Sequence, residues 1–300
     1  MSTTSCEAGR GEASEIRGFW TGLGLPGLID VHTHFMPERV LHKVWDYFDT
    51  SGPMIGGLTW PITYRREEDE RVALLRDFGV HAFTSMLYPH KPGMARWLNK
   101  WAADFARRAP GCLHTATLYP EPDTAAYVQE ALEAGARIFK AHIQVGGYDP
   151  ADEQLQTAWG LLADTGTPVV MHCGSGPAPG KHTGPEPVAR VLARHPRLRL
   201  IVAHMGMPEY EEFLDLAERH DQVYLDTTMI FTDFTEGFMP FPRKALPRLA
   251  GLGDRILLGT DFPNIPYPYL HQLQALERLG LGHDWLRGVC HDNAADLFGL

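Results

Sequence analysis

Short apolar runs alternate along this chain with longer stretches in which apolar residues recur every three or four positions. The runs have the length of strands. They predict eight: 27–33 (GLIDVHT), 80–87 (VHAFTSML), 112–118 (CLHTATL), 136–143 (ARIFKAHI), 167–172 (TPVVMH), 198–203 (LRLIVA), 222–228 (QVYLDTT) and 255–260 (RILLGT). Helical spacing is clear between them in YRREEDERVALLRDF (64–78) and DTAAYVQEALEAG (123–135). In the second, Asp123 or Thr124 suits the N-cap and Gly135 the C-terminal stop. Eight strands, each followed by a helix over about 250 residues, predict an α/β fold: one (β/α)8 barrel of the TIM type, spanning 25–300. An open, doubly wound sheet is the competitor, but no Gly-rich phosphate loop follows the first strand. Residues 1–24 begin MSTTSCEAGRGEASE and read as a flexible, loosely attached extension.

Composition narrows the class. Three hundred residues, 44% of them apolar, supply a sizeable core. Runs such as PVVM (168–171) and RLIVA (199–203) are too short to cross a membrane. No cationic start followed by an apolar stretch marks a signal peptide. A net charge of −10 without a basic cluster argues against nucleic acid or an anionic membrane as partner. RREEDER (65–71) reads as a solvated helix start. Cys6, Cys112, Cys173 and Cys290 are scattered, which fits reduced thiols in a cytoplasmic protein, with Cys173 a packing residue.

The chemistry gathers at strand ends. In LIDVHTHF (28–35), His32 and His34 are one residue apart, and side chains at i and i+2 of a strand share a face. Both imidazoles, and Asp30 before them, therefore lean one way. Two neutral imidazoles on one face hold a divalent metal, or are simply a packed pair. Lys140 and His142 close the fourth strand, His172 the fifth and His204 the sixth, while Asp261 follows the eighth. A barrel puts its active site at these ends, so the set predicts a metal site. His81 and His114 read as packed or hydrogen-bonded in early strands, and His195, His220, His271, His283 and His291 as surface residues.

In order along the chain, IDVHTHF, MHCGSG, AHMG, GTDFP and the closing HDNAADLFGL resemble the amidohydrolase superfamily, in particular its amidohydrolase-2 branch, over nearly all of 27–300. That resemblance implies a metal-dependent barrel enzyme. His32, His34, His172 and Asp261 would bind a first divalent ion, with zinc expected first and manganese or iron as alternatives. His204 would hold a second ion or act beside the metal as an acid. Asp261 would also take a proton from metal-activated water. Lys140 would be either a carbamylated bridge between two ions or an unmodified cation that grips a substrate anion. Asn293, in the closing segment, would be structural.

Loops speak to substrate. TTMIFTDFTEGFMPFP (227–242) carries four phenylalanines and two methionines, so it lines a pocket or forms a subunit interface, and a homo-oligomer is expected. Trp60, Tyr88, Phe231, Phe234, Lys140, His142 and the loop residue His182 are the candidate substrate contacts. Met36, Trp45 and Phe48 would complete a facing wall, with Tyr148 and Tyr267 adding polar tips. The expected reaction is hydrolysis of an amide, ester or lactone bond in a small aromatic or apolar substrate. Decarboxylation, hydration or di-iron oxygenation on the same scaffold is the alternative, and a non-catalytic metal-binding protein the remote one. Decarboxylases of this branch carry a long helical insertion after the fifth strand and an arginine that grips the carboxylate. Here 31 residues separate His172 from His204, although Lys140 or Arg243 is available to bind a carboxylate.

Overall fold

The computed structural model describes residues 3–50 and 57–300, with side chains from residue 11 onward. Eight parallel strands appear where the apolar runs put them, each shorter than its run: β1 (Leu28–Asp30), β2 (Val80–Phe83), β3 (Thr115–Thr117), β4 (Ile138–His142), β5 (Val169–His172), β6 (Leu200–Val202), β7 (Val223–Asp226) and β8 (Ile256–Leu257). Helix α1 (Thr3–Gly22) precedes them. Behind β1 come α2 (Glu38–Thr50) and α3 (Glu68–Phe78), behind β2 α4 (Ala95–Arg108), and behind β3 α5 (Thr124–Glu133). The short α6 (Ile143–Gly146) and α7 (Gln156–Thr165) follow β4, α8 (Pro185–Arg194) follows β5, and α9 (Tyr210–Arg219) follows β6. After β7 lie α10 (Asp233–Glu236) and α11 (Leu246–Gly251), and after β8 α12 (Tyr269–Glu277), α13 (His283–Arg287) and α14 (Asn293–Phe298).

The chain is a TIM-type (β/α)8 barrel. β3 to β8 pair in sequence order, and β1 pairs with β2. Backbone hydrogen bonds join these two ladders into a ring. Phe83 and Cys112 bridge the second and third strands, and the Val31 N–H donates to Leu258 O at 2.9 Å beside the eighth. Side chains alternate across each strand. Ile138, Val170, Ile201 and Leu257 fill the barrel interior, while Phe139, Val169 and Met171 face the surrounding helices. Burial on both faces is why these strands read as continuous apolar runs. Ala294 and Phe298 of α14 join the inner cluster and close the N-terminal end of the barrel. Asn293 has the structural role expected of it, its Nδ2 donating to Gly253 O at 2.6 Å and Ile256 O at 2.8 Å.

The structure departs from the sequence reading in three places. The later part of the polar opening is packed: α1 meets α3 and α12, with Ile16 fully buried and the Trp20 indole donating to Phe78 O at 3.0 Å. Its apolar residues are too sparse to announce a packed helix, yet they fall on one side. Arg71 is not solvated either. It is buried with its guanidinium 5.0 Å from the Phe35 ring centroid, and burial pushes its pKa down to about 10. His81, expected to be packed or hydrogen-bonded, is exposed at the start of β2 and meets the half-buried His291 edge-on, 5.2 Å between centroids. Cys112, Cys173 and Cys290 are free thiols; the side chain of Cys6 lies outside the described residues.

Candidate metal centre

β1 ends at Asp30 and the chain bends at Val31, so His32 and His34 enter the barrel mouth from an irregular segment. Asp30 parts from them. Its carboxylate accepts hydrogen bonds from Thr260 Oγ1 (2.6 Å), Tyr269 Oη (2.9 Å) and the His32 N–H (3.1 Å), so it braces the turn and does not face the site. Burial raises its pKa to about 7 against those hydrogen bonds.

Each imidazole is fixed by its Nδ1. His34 Nδ1 donates to Met86 O at 2.5 Å and His32 Nδ1 to Asp226 Oδ2 at 2.8 Å. A carbonyl can only accept, and Asp226 is held well below the usual carboxylate range. Burial alone would raise it, but His32 and His204 outweigh that. The hydrogens therefore sit on Nδ1, and both Nε2 atoms turn lone pairs inward.

Those lone pairs face Asp261 Oδ1, at 2.8 Å from His34 Nε2 and 3.5 Å from His32 Nε2. Acceptors so close require a positive charge among them. Bonds of about 2.0–2.2 Å to one shared ion place ligand atoms about 3–3.5 Å apart, close to this spacing. Among the described residues, His32, His34 and Asp261 form the one trio of His, Cys, Asp or Glu whose ligand atoms all lie within 4.8 Å of one another. The donor set and its tautomers fit a divalent ion. Asp261 is held in place by backbone: its N–H donates to His32 O at 2.8 Å, and its φ of 73° is left-handed. His204, at φ 53°, shares that uncommon conformation, which costs a non-glycine residue energy and clusters at functional sites.

The other predicted residues surround the trio. Lys140 is fully buried, and its Nζ lies 3.0 Å from His32 Nε2. Burial lowers its pKa to about 8 against the pull of Asp226 and Asp261. His204 Nδ1 donates to Thr228 O at 3.1 Å, leaving Nε2 as the nitrogen with a lone pair. His172 stands outside the trio. Its Nε2 is turned to Gly176 O at 3.1 Å, and its ring stacks on His142 at 4.1 Å, because the two residues are paired in register between β5 and β4. Burial pushes the pKa of His142, His172 and His204 down.

Above the trio opens a cavity of about 1050 Å³. Its floor includes His32, His34, Lys140, His172, His204 and Asp261. Among the predicted substrate contacts, Trp60, Tyr88, Lys140 and His142 line it, and Phe48 joins the wall. Phe231 and Phe234 do not. Phe231 is buried against Phe241, and Phe234 supports Trp60 from behind at 4.9 Å. His182 sits on its own loop, 4.0 Å from Asp149. Met36, Trp45, Tyr148 and Tyr267 lie off the wall, and Arg243 is an exposed partner of Glu236 at 3.0 Å. The aromatic loop over 227–242 thus folds inward, with Met229, Thr235 and Phe238 reaching the cavity.

Two functional residues escaped the sequence reading. Asp226 ends β7, so the strand-end rule that found Asp261 could have found it. Asn264 lines the cavity, takes the Trp45 indole N–H on Oδ1 at 3.0 Å and that of Trp60 on its backbone O at 2.7 Å. No pattern in the sequence marks it.

A TIM barrel whose mouth gathers two imidazoles, a carboxylate and a buried lysine defines a metal-dependent barrel enzyme. The amidohydrolase family model matches residues 29–300, and the chain belongs to that family. No curated protein sequence matches it. An uncharacterized TIM-barrel protein from Bordetella bronchiseptica superposes with a TM-score of 0.72 at 21% identity, over 91% of this chain and 98% of that one. A putative 2-pyrone-4,6-dicarboxylic acid hydrolase from Pseudomonas putida gives 0.60 at 17%, over 91% and 98%. IDCase from Metarhizium anisopliae gives 0.60 at 15%, over 92% and 98%.

Proposed function

We propose that this enzyme hydrolyses an amide, ester or lactone bond of a small, largely apolar substrate, with zinc as its ion. The observation that carries the reading is the buried trio of His32, His34 and Asp261 on the cavity floor, its imidazole tautomers already set for ligation. A divalent ion held there supplies Lewis acidity to a carbonyl and acidifies water at the site.

The chain's own groups do the rest. Asp261 Oδ1 faces the imidazoles, while Oδ2 makes no hydrogen bond to a described residue and is the oxygen that takes a proton from the attacking water. Its carboxyl is held well below the ordinary range, since the imidazoles around it, that of His34 first and then those of His204 and His32, outweigh burial. The proton that Asp261 takes passes on to the leaving atom, and His204 Nε2, left with a lone pair by the bond from Nδ1 to Thr228 O, accepts a hydrogen bond from the attacking water. Lys140 adds positive charge to the floor. Trp60, Tyr88 and Phe48 exclude water from the apolar part of the substrate.

Hydrolysis is favoured over decarboxylation by the cations present. Among the described residues no arginine lines the floor: Arg39 stands at the rim, Arg243 is tied to Glu236 outside the cavity, and α8 is the one helix between β5 and β6. The test is turnover of an ester, lactone and amide panel by zinc-loaded protein in ¹⁸O-water. Label in the acid product, lost in Asp261→Asn, supports the proposal. Carbon dioxide release from carboxylated substrates without label transfer would replace hydrolysis by decarboxylation.

A further inference from the structure

The protein carries a net charge of −10, yet the mouth of its cavity is positive. The exposed charged residues that line it are Arg39, Lys43 and Lys91 against Glu38 alone. Lys43 is shared with Asp46 at 3.6 Å. Arg39 and Lys91 form no ion pair or hydrogen bond with any described side chain, whereas Arg96, Arg190 and Arg248 are each tied to carboxylates. They approach from two packed elements. Arg39 belongs to α2 and Lys91 to the loop after β2, and Val40, Leu41 and Met94 hold these segments together in one cluster with Leu87 and Leu98.

Beside the cations stand exposed aromatics. Tyr47 and Trp97, 45% and 46% exposed, are among the four large apolar side chains most exposed in the described protein, and both line this mouth. Below them the wall is apolar, with Val44, Phe48, Met94 and Phe238, down to the buried trio. The cavity is therefore graded: ligating groups at the floor, an apolar waist, and unpaired cations beside aromatic faces at the rim.

Resting on the hydrolytic reading of the floor, we propose that Arg39 and Lys91 form an anion subsite, so that the substrate carries a carboxylate or phosphate at the end remote from the bond cleaved. An apolar body spans the waist and sets the distance between the two ends. Charge at the far end is recognised where it stays hydrated, which spares its desolvation and limits what each cation contributes.

The experiment is calorimetric titration of the zinc-loaded protein with α,ω-dicarboxylic acids, ω-phosphonocarboxylic acids and monocarboxylic acids of matched length. The doubly charged ligands are expected to bind about five- to tenfold tighter than the monocarboxylates, with the margin shrinking as salt rises. Arg39→Gln with Lys91→Gln should erase that margin and leave monocarboxylate affinity unchanged, whereas Lys43→Gln should change it less. A larger margin for the phosphonates than for the dicarboxylates assigns the subsite to phosphate, and the reverse assigns it to carboxylate. Equal affinity for singly and doubly charged ligands, or a margin that survives the double substitution, overturns the subsite. Binding is read without turnover, so a protein that hydrolyses nothing can still show the margin. One that hydrolyses neutral esters without it loses this inference alone.

Discussion

Asp226 and His32, 194 positions apart in sequence, meet across the barrel mouth in a 2.8 Å hydrogen bond from imidazole Nδ1 to carboxylate Oδ2. The same carboxylate takes the His204 N–H on Oδ1 at 2.8 Å. One buried side chain thus fixes the tautomer of a ligand and the backbone of a second functional histidine.

Replacing it by asparagine should therefore weaken ion binding without unfolding the barrel. Asp226→Asn keeps the shape but removes the charge that makes His32 a better donor, and such changes cost 10- to 100-fold in affinity. Competition with a chromophoric chelator measures it. Unchanged zinc affinity would mean that the bond to His32 does not tune the site.

Gly259 is where the site leaves no room. A Cβ there would stand 2.2 Å from Thr228 Oγ1 and 2.9 Å from His32 Cβ. Gly259→Ala should cost about 1–3 kcal/mol through overpacking and lower Tm by several degrees. Because the clash displaces His32, zinc affinity should fall with it, which calorimetry on the same variant reports.

Acid should destabilise the metal-free protein. Burial holds His32, His142, His172 and His204 below the usual imidazole pKa, so below about 6.5 the unfolded chain takes up protons that the folded one refuses. Each such histidine removes up to about 1.4 kcal/mol of stability per pH unit of acidification. Asp30 works in the opposite sense. Its pKa, raised to about 7, lets the folded state keep a proton that the unfolded chain has lost above about 3.9, so it favours folding as pH falls through 7. Four groups outweigh one, and Tm measured with chelator should fall from pH 7 to pH 5. Asp30→Asn should steepen the fall, and a flat profile would contradict the assignment.

Ile16 should anchor the N-terminal helix. Truncation of a fully buried isoleucine costs about 2–5 kcal/mol, here confined to the contact of α1 with α3 and α12. Amide exchange in α1 of Ile16→Ala should accelerate while the strands stay protected. Uniform acceleration across the protein would show that α1 is integral to barrel stability.

Much of this was legible beforehand because it rests on local pattern. Strands buried on both faces write themselves as apolar runs, and the family's motifs mark the ends at which Lys140, His204 and Asp261 cluster. What escaped depends on contacts made at a distance. Asp226 looks like any polar residue ending a strand until His32 is set opposite it. Phe231 and Phe234 look like pocket residues because an aromatic loop over a barrel mouth has two sides, and the pattern does not say which side faces the ligand. Arg71 sits in a run of charges, and only Phe35 beneath it explains its burial. His172 shares its strand end with the expected ligands, but the carbonyl of Gly176 turns its Nε2 aside.

The hydrogen bond from Val31 to Leu258 shuts a ring whose two ends lie at opposite ends of the domain, and the approach of His34 to Asp261 spans 227 positions of chain. A nascent chain that has not yet emitted its eighth strand holds two imidazoles and no carboxylate to complete them. A site of this kind would be complete only after the most non-local closure in the topology, so an ion held there would be captured late in folding. A truncation ahead of the eighth strand would take Asp261 away and leave the two imidazoles without their carboxylate.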